Sequence, residues 1–295
     1  MSWPAAEVEI DESLVSSLLE EQHRDLAERP LVHLDTGFDN VLWRLGDDLL
    51  IRMPRRAVAS TLIANEQRWL PHLAPRLPLP VPAPARLGRP SPLFPWPWSI
   101  VPWLAGVPAD REPVTNAVDA ATRLGAFLGA LHHDAPSSAP HNDWRGVPLA
   151  VRAVTFEERM VDLGDHIEAV LVRPVWEAAL AAAPFSGRPR WVHGDLHPGN
   201  ILVADGTVVA IIDFGDMCAG DPATDVAAVW MALPSEGVDA FWEAYGSPDR
   251  SLVSRSLGWT VLFGLMLLQI GLRDHPTYER VARLALERAA AARID

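Results

Sequence analysis

The stretch that decides the fold is WVHGDLHPGN, residues 191–200, taken together with IIDFGD, residues 211–216. Between these polar segments, the apolar runs ILV and VVAIID are separated by Ala-Asp-Gly-Thr. Asp-Gly between two apolar runs is a strong hairpin signal. The first segment enters this hairpin and the second leaves it. We therefore expect a two-stranded ribbon that carries both polar segments at the same end.

Three side chains of these segments suit phosphoryl transfer. Mg²⁺ bound to nucleotide phosphates takes carboxylate and amide oxygens as protein ligands, and Asn200 and Asp213 provide that set. Asp195 is then left to accept a proton from an attacking hydroxyl and to orient it toward the γ-phosphorus. The alternative is a polar turn in which the carboxylates merely cap neighbouring backbone.

Size and charge narrow the class of protein. A chain of 295 residues is long enough for two lobes, each with its own core, and 49% hydrophobic with 21% charged residues is an ordinary globular balance. The formal net charge of -13 argues against nucleic acid as a partner. It suits a cationic small molecule, although solubility alone would also explain it.

The cysteine usage and the apolar segments bear on location. A single cysteine, Cys218, excludes an intramolecular disulfide and fits a reducing cytoplasm. The first twelve residues lack the positive start and apolar core of a signal peptide. The most apolar stretch, between Arg255 and Arg273, is interrupted by polar residues and glycines, so we expect a buried core helix and no membrane partner.

The sequence before residue 104 predicts a small lobe that contains both strands and helices. Apolar spacing predicts a helix over 12–28, and three short strands follow, broken at Thr36-Gly37 and at Gly46-Asp47-Asp48. A helix over 60–73 carries Glu66. Eleven prolines from Pro71 to Pro102 disfavour regular helix, and WSIVPWL at their end predicts a strand. Beyond this point the pattern is mainly helical, over 115–133, 156–183, 223–233, 237–245, 251–272 and 276–292.

The order H-G-D-x-x-x-x-N, hairpin, D-F-G resembles the catalytic and metal-binding loops of protein-kinase-like enzymes. HGDLHPGN followed by IIDFGD and GDPATDVA is similar to the aminoglycoside phosphotransferase and choline kinase family, which includes macrolide phosphotransferases. The resemblance implies an α+β, two-lobed protein-kinase-like fold. Its small N-lobe, 1–103, has a twisted antiparallel sheet with one helix and binds nucleotide. Its larger, mainly helical C-lobe, 104–295, carries the catalytic loop and the acceptor site.

The resemblance also implies roles for single residues. Asp195 is the catalytic aspartate, and Asn200 and Asp213 bind Mg²⁺. His193 braces the catalytic loop, and Asp225 supports that loop by hydrogen bonds to its backbone. The phosphoryl donor is ATP or GTP.

On the nucleotide side, Arg52 stands where the family carries a strand-three cation, with Glu66 as its helix partner. Arginine is not equivalent to lysine at such a site. An arginine on the surface of an edge strand is the alternative, and Arg44 competes for the role. The turn that contains Thr36 and Gly37 would cover the phosphates. The hinge that binds adenine would run from Ile100 to Leu104; because Pro102 has no N–H, the Trp103 N–H is the predicted donor.

Two departures from protein kinases favour a small acceptor. Gly194 replaces the arginine that reads an activation-loop phosphate in many protein kinases, and only seven residues separate Asp213 from Asp221. We therefore expect transfer of the γ-phosphoryl group to a hydroxyl of a small molecule, with an aminoglycoside or macrolide antibiotic as the first hypothesis. Three acidic residues are candidates to meet amines, or are solvated surface charges: Asp143, Asp216 and Glu236.

Other functions stay open on the sequence alone. The acceptor could be choline, an amino alcohol, a sugar or a nucleoside. The absence of lysine from the chain favours a nucleotide-binding pseudoenzyme, whereas the complete set of Asp195, Asn200 and Asp213 argues against it. A metal-dependent phosphohydrolase would need a denser cluster of His and Asp around two metals.

Overall fold

The computed structural model describes residues 5–246 and 249–292. It divides into two compact units. The first runs to Pro75 and includes Val81–Leu104, and the second comprises Arg76–Pro80 and the chain from Ala105. Residues 76–80, predicted to be in the N-lobe, group with the second unit, where the Pro80 carbonyl accepts the N–H of Ile211 at 3.1 Å. The predicted domain limits at residues 1 and 295 lie outside the described ranges.

The first unit contains a five-stranded antiparallel sheet in the order β1-β2-β3-β5-β4. The three strands that the sequence predicts, separated by two turns, are present. The first five residues of WSIVPWL form the predicted further strand, β5. The strands are β1 (Leu31–Thr36), β2 (Asn40–Leu45), β3 (Leu49–Pro54), β4 (Arg86–Gly88) and β5 (Trp98–Pro102). Two helices accompany the sheet, α1 (Glu12–Gln22) and α2 (Ala57–Leu73).

The core of the first unit lies between α1 and one face of the sheet. Alternate residues of β2 are buried, as expected of a strand with one face on a core. The helix contributes buried residues at helical spacing, and the strands contribute large apolar side chains. The main members are Val15, Leu18, Leu19, Trp43, Leu45, Ile51, Trp98 and Ile100.

The second unit is mainly helical, as predicted. One prediction was wrong: the helix expected over 156–183 is two helices, because Gly164 has a φ of 45° and begins a 3-10 turn, Gly164–His166. The helices are α3 (Ala117–Leu131), α4 (Ala153–Leu163), α5 (Ala169–Ala181), α6 (Ala223–Ala232), α7 (Val238–Tyr245), α8 (Arg250–Asp274) and α9 (Pro276–Ala291).

Helix α8 is long and apolar enough over Arg250–Arg273 to cross a membrane. However, 78% of its apolar stretch is buried inside the fold, and α8 packs against α9, α6 and α5. This burial matches the predicted core helix.

Two small sheets complete the second unit. Strands β6 (Val107–Pro108), β8 (Ile201–Ala204) and β9 (Thr207–Ile211) form one, and β7 (Arg190–Val192) pairs with β10 (Cys218–Gly220) in the other.

The hairpin between β8 and β9 has the predicted turn. Asp205 and Gly206 both have positive φ, 51° and 75°, as a type I′ turn requires. Ile201 pairs with Ile211, which confirms that the two polar segments lie at the same end of this ribbon.

Candidate active site

Asp195 lies in the loop between β7 and β8, with its side chain 21% exposed. The Arg145 Nη2 donates to its Oδ1 at 2.8 Å, and the His197 Nε2 lies 3.6 Å from its Oδ2. Burial by itself would raise the pKa of Asp195, but Arg145, then His197 and His193, outweigh it and hold the pKa below its usual value. Asp195 is therefore a carboxylate at neutral pH.

The backbone before Asp195 is held by Asp225, near the start of α6. Its carboxylate is fully buried and accepts the N–H groups of His193 at 2.6 Å and Gly194 at 2.9 Å. The His132 Nε2 lies 3.2 Å from the same carboxylate, and its Nδ1 lies 2.9 Å from the Tyr245 hydroxyl. Burial raises the pKa of Tyr245, so this hydroxyl keeps its proton at neutral pH.

His193 connects the loop to the end of the ribbon. Its Nδ1 accepts the Asp195 N–H at 3.2 Å, and its Nε2 lies 2.9 Å from the Ile212 carbonyl. This pattern is satisfied by the neutral tautomer with the proton on Nε2. Both ring nitrogens are thus used within the protein, as suits a bracing role.

Gly194 is required by its conformation and by its surroundings. Its φ is 88°, and a Cβ built on it would lie 2.4 Å from the Asp216 carbonyl oxygen. A side chain at this position would force the catalytic loop away from the segment that follows β9. The backbone at Gly194 therefore excludes the arginine that many protein kinases carry at this position.

Asn200 and Asp213 flank the hairpin at the same end of the ribbon, Asn200 directly before β8 and Asp213 shortly after β9. The Asn200 Nδ2 donates to the Asp195 carbonyl at 2.9 Å, which leaves its Oδ1 as the amide group suited to a cation. The Ile212 N–H donates to the Asn200 carbonyl at 3.0 Å, and the next residue, Asp213, has a φ of 63°. Positive φ in a residue other than glycine is uncommon and clusters at functional sites.

The donor set suits Mg²⁺ held jointly with nucleotide phosphates. One amide oxygen and one carboxylate are a hard, oxygen-only pair, and such ions complete their coordination with phosphate and water. Across residues 5–246 and 249–292, no group of three or more His, Cys, Asp or Glu has the arrangement of a metal site. The dinuclear phosphohydrolase alternative needs such a group and therefore has no support here.

In the first unit, Arg52 and Glu66 form a buried ion pair. Arg52 lies on β3, an interior strand, and its Nη1 donates to both carboxylate oxygens of Glu66 on α2, at 2.9 and 2.8 Å. The alternative of a surface arginine on an edge strand is wrong, because Arg52 is only 5% exposed. Arg44, the other candidate, makes its contacts within the first unit. Its Nε donates to the Gly46 carbonyl, and its guanidinium lies over the Trp103 ring.

The predicted hinge needs a correction. The Trp103 N–H already donates to the Asp48 carbonyl at 2.8 Å, and the Ile100 carbonyl accepts the Ala85 N–H at 2.8 Å. The physical reason is that β5 lies between β3 and β4, so its backbone groups pair on both sides. An adenine contact through the Trp103 N–H would require the Asp48 bond to break.

The predicted phosphate-covering turn does form between β1 and β2. The Gly37 N–H donates to the Asn40 carbonyl at 2.9 Å, and the Arg55 Nη1 donates to the Gly37 carbonyl at 2.9 Å. Thr36 ends β1, and its N–H donates to the Asp35 carboxylate. These contacts fix the turn within the first unit.

The acidic residues suggested for amines do not form an acidic pocket. Asp143 is 81% exposed and pairs with His141, and Glu236 is exposed. The Asp216 Oδ1 accepts the Asn142 Nδ2 at 2.7 Å. Burial, and then the charge of Asp195, raise the pKa of Asp216.

Sequence reasoning missed Arg145, the closest cation to Asp195. It lies fifty positions earlier, in the irregular segment between α3 and α4, where no periodicity or motif marks it. Its side chain contacts two distant parts of the chain, Asp195 and helix α8, where it meets Phe263 and Met266. Only the three-dimensional structure brings them together.

One protein-family model matches most of the chain. Residues 11–254 match the model of a family described as "Phosphotransferase enzyme family". A search of curated proteins found no match.

Solved structures share the fold. The GDP and kanamycin complex of APH(2")-IIia has a TM-score of 0.70 at 20% identity, covering 95% of this chain and 99% of that chain. The macrolide 2'-phosphotransferase MphH from Brachybacterium faecium, an apoenzyme, has a TM-score of 0.59 at 23% identity, covering 92% and 97%. The streptomycin-ATP-APH(2")-IIa ternary complex has a TM-score of 0.59 at 17% identity, covering 88% and 91%. The chain therefore belongs to the phosphotransferase enzyme family and is a small-molecule phosphotransferase with the kinase-like fold.

Proposed function

We propose that the protein transfers the γ-phosphoryl group of ATP or GTP to a hydroxyl group of a small molecule. The observation that carries this proposal is the catalytic loop. Asp195 is held as a carboxylate, and its carbonyl accepts a hydrogen bond from the Asn200 side chain. Asp213 directly follows Ile212, whose N–H donates to the Asn200 carbonyl. Mere nucleotide binding would not need a positioned carboxylate, so the pseudoenzyme alternative is the weaker one.

Asp195 acts by orienting the acceptor. Phosphoryl transfer passes through a loose transition state, so catalysis depends on positioning and electrostatics more than on a strong base. Because its pKa is held below the usual value, Asp195 accepts a hydrogen bond from the attacking hydroxyl and takes up the proton late. His193 and Asp225 maintain the loop geometry on which this orientation depends.

Asn200 and Asp213 would hold Mg²⁺, which neutralises charge that develops on the nucleotide phosphates. Arg52, held by its ion pair with Glu66, would contact the phosphates in place of the usual lysine. We expect Arg52→Gln to weaken nucleotide binding and Arg52→Lys to preserve part of it, as measured by equilibrium titration with ATP and GTP. Structural relatives bind GDP in one case and ATP in another, so both donors belong in the test.

The first acceptors to test are antibiotics. Kanamycin and streptomycin are bound in two of the structural relatives, and another relative is a macrolide 2'-phosphotransferase. If an antibiotic is the acceptor, expression of the protein would confer resistance to it. The Arg145 cation bonded to Asp195 favours a second candidate, a kinase of a small metabolite, over an enzyme with a polycationic acceptor. We place the activity in the cytoplasm, where nucleoside triphosphates are available and the buried thiol of Cys218 stays reduced.

The test is an acceptor screen by mass spectrometry. Purified protein is incubated with Mg²⁺, ATP or GTP, and a panel of aminoglycosides, macrolides, amino alcohols, sugars and nucleosides, and products are searched for the mass of one added phosphoryl group. We expect at least one acceptor to be phosphorylated by the wild type and by Asp165→Asn, an exposed control, but not by Asp195→Ala. Tight nucleotide binding without turnover on any acceptor would contradict the proposal.

A further inference from the structure

Three arginines of the second unit lie near one another, and one of them, Arg145, contacts Asp195. Arg145 lies before α4, Arg152 lies directly at its start, and Arg159 follows two helical turns later. Helix α8 lies against them: the Arg145 guanidinium is 4.9 Å from the Phe263 ring centroid, and the Arg159 Nη1 donates to the Leu262 carbonyl at 2.7 Å. We call Arg145, Arg152 and Arg159 the arginine cluster.

Arg152 is the unusual member of the cluster. It is only 4% exposed, and its guanidinium stacks on the Trp144 ring at 4.5 Å. Within the described part of the chain, its Nε has no hydrogen-bond partner, and no carboxylate lies within ion-pair distance. The Arg145 Nε is also buried without a partner. Buried charges in proteins are ordinarily paired, so these donors call for an anion from outside the chain.

The surrounding charges reinforce this reading. Burial, and then the nearby Arg145, lower the pKa of Arg152, and burial with both neighbours lowers the pKa of Arg159 to about 10. Even with these lowered pKa values, Arg152 and Arg159 remain cations at neutral pH. Glu158 partly offsets the charges of Arg152 and Arg159, whereas among residues 5–246 and 249–292 the only carboxylate bonded to Arg145 is Asp195.

We propose that the acceptor carries an oxyanion, a carboxylate or a phosphate ester, which the guanidinium groups of Arg145 and Arg152 bind. This inference rests on the proposed function and specifies its substrate class. Arginine presents several N–H donors in a planar fork, which matches both kinds of oxyanion. Arg145 contacts Asp195 directly, so an anion held there would bring a neighbouring hydroxyl to the catalytic carboxylate.

The same geometry disfavours a polycationic acceptor. An amine placed at the arginine cluster would meet three like charges in a partly desolvated site, where repulsion is poorly screened. An anion would instead compete with Asp195 for Arg145. Acceptor binding would thereby loosen the ion pair that occupies Asp195 in this structure.

Equilibrium binding to matched compounds tests the inference without requiring turnover. The probes form two series, each with a neutral compound, a carboxylate, a phosphate ester and an amine. The first is glycerol, glycerate, glycerol 3-phosphate and 3-amino-1,2-propanediol. The second is glucose, gluconate, glucose 6-phosphate and glucosamine. Titration calorimetry is carried out with wild type, Arg152→Gln and Arg152→Lys. The control is Arg123→Gln, because Arg123 is an exposed arginine on α3. If Arg152→Gln fails to fold, Arg145→Gln replaces it.

We expect one anionic series to bind at least tenfold more tightly than its neutral and amine counterparts. Arg152→Gln should weaken that binding by roughly 10- to 100-fold, because it removes a charge-assisted hydrogen bond. Arg152→Lys should lose less affinity for the anion, and Arg123→Gln should bind the anion as tightly as the wild type does. Preference for the carboxylates or for the phosphate esters identifies the kind of oxyanion.

Equal binding of neutral, amine and anionic members, or unchanged anion binding by Arg152→Gln, would overturn the inference. These outcomes are separate from failure of the proposed function. Phosphorylation of kanamycin without any preference for anions would refute only the oxyanion site. Anion binding that depends on Arg152, without nucleotide turnover on any acceptor, would refute only the phosphotransferase activity.

Discussion

The fully buried carboxylate of Asp225 offers a direct test of how the catalytic loop is held. Asp225→Ala removes the acceptor of two backbone N–H groups, those of His193 at 2.6 Å and Gly194 at 2.9 Å. A buried donor left without a partner costs about 1–3 kcal/mol, so the two together should cost about 2–6 kcal/mol. Asp225→Asn keeps one acceptor oxygen and should cost about half as much.

Hydrogen exchange locates the lost stability better than a global unfolding curve does, because a chain with two compact units need not unfold in one step. We expect Asp225→Ala to increase exchange in the peptide that covers residues 191–200, together with a lower midpoint of urea denaturation. Asp165→Asn, at an exposed position, is the control and should leave both unchanged. Unchanged protection of the His193 and Gly194 amides in Asp225→Ala would refute the assigned role.

Two further predictions concern the same loop. Arg145→Gln removes the charge that counteracts the effect of burial on Asp195, so the pKa of Asp195 should rise. Activity that requires the carboxylate is lost as pH falls through that pKa, so the acid limb of the pH profile of kcat/KM should move to higher pH. An acid limb at the wild-type position would contradict this. Gly194→Ala places a Cβ 2.4 Å from the Asp216 carbonyl oxygen and should destabilise the protein by about 2 kcal/mol or more in urea denaturation. Gly164→Ala shares the positive φ but meets no atom within 4 Å, so equal losses in the two variants would show that the contact is irrelevant.

Local patterns were enough to predict the hairpin and most helices. The Asp-Gly turn and the apolar runs on either side specify β8 and β9, whose pairing depends on adjacent residues. Helix α8 was predicted from a long apolar run, and its burial explains that composition. The break between α4 and α5 was missed because a glycine within a helical pattern does not reveal its φ.

The rest of the site depends on long-range pairing that spacing does not encode. Strands β7 and β10 have only three residues each, too few for a periodic signal, and their partners lie far apart in the chain. The Trp103 N–H was assigned to adenine because the position of β5 inside the sheet was not known. The arginine cluster was missed for a similar reason, since the packing of the segment before α4 against α8 is a tertiary contact.

The central claim is that the Asp195 carboxylate orients the acceptor hydroxyl and contributes little to nucleotide affinity. It is tested most directly by kcat and nucleotide Kd for Asp195→Asn, with the acceptor found in the screen. We expect kcat to fall by about 10²- to 10⁴-fold while Kd for the nucleotide stays within about twofold of the wild type. A variant that keeps the wild-type kcat would contradict the claim.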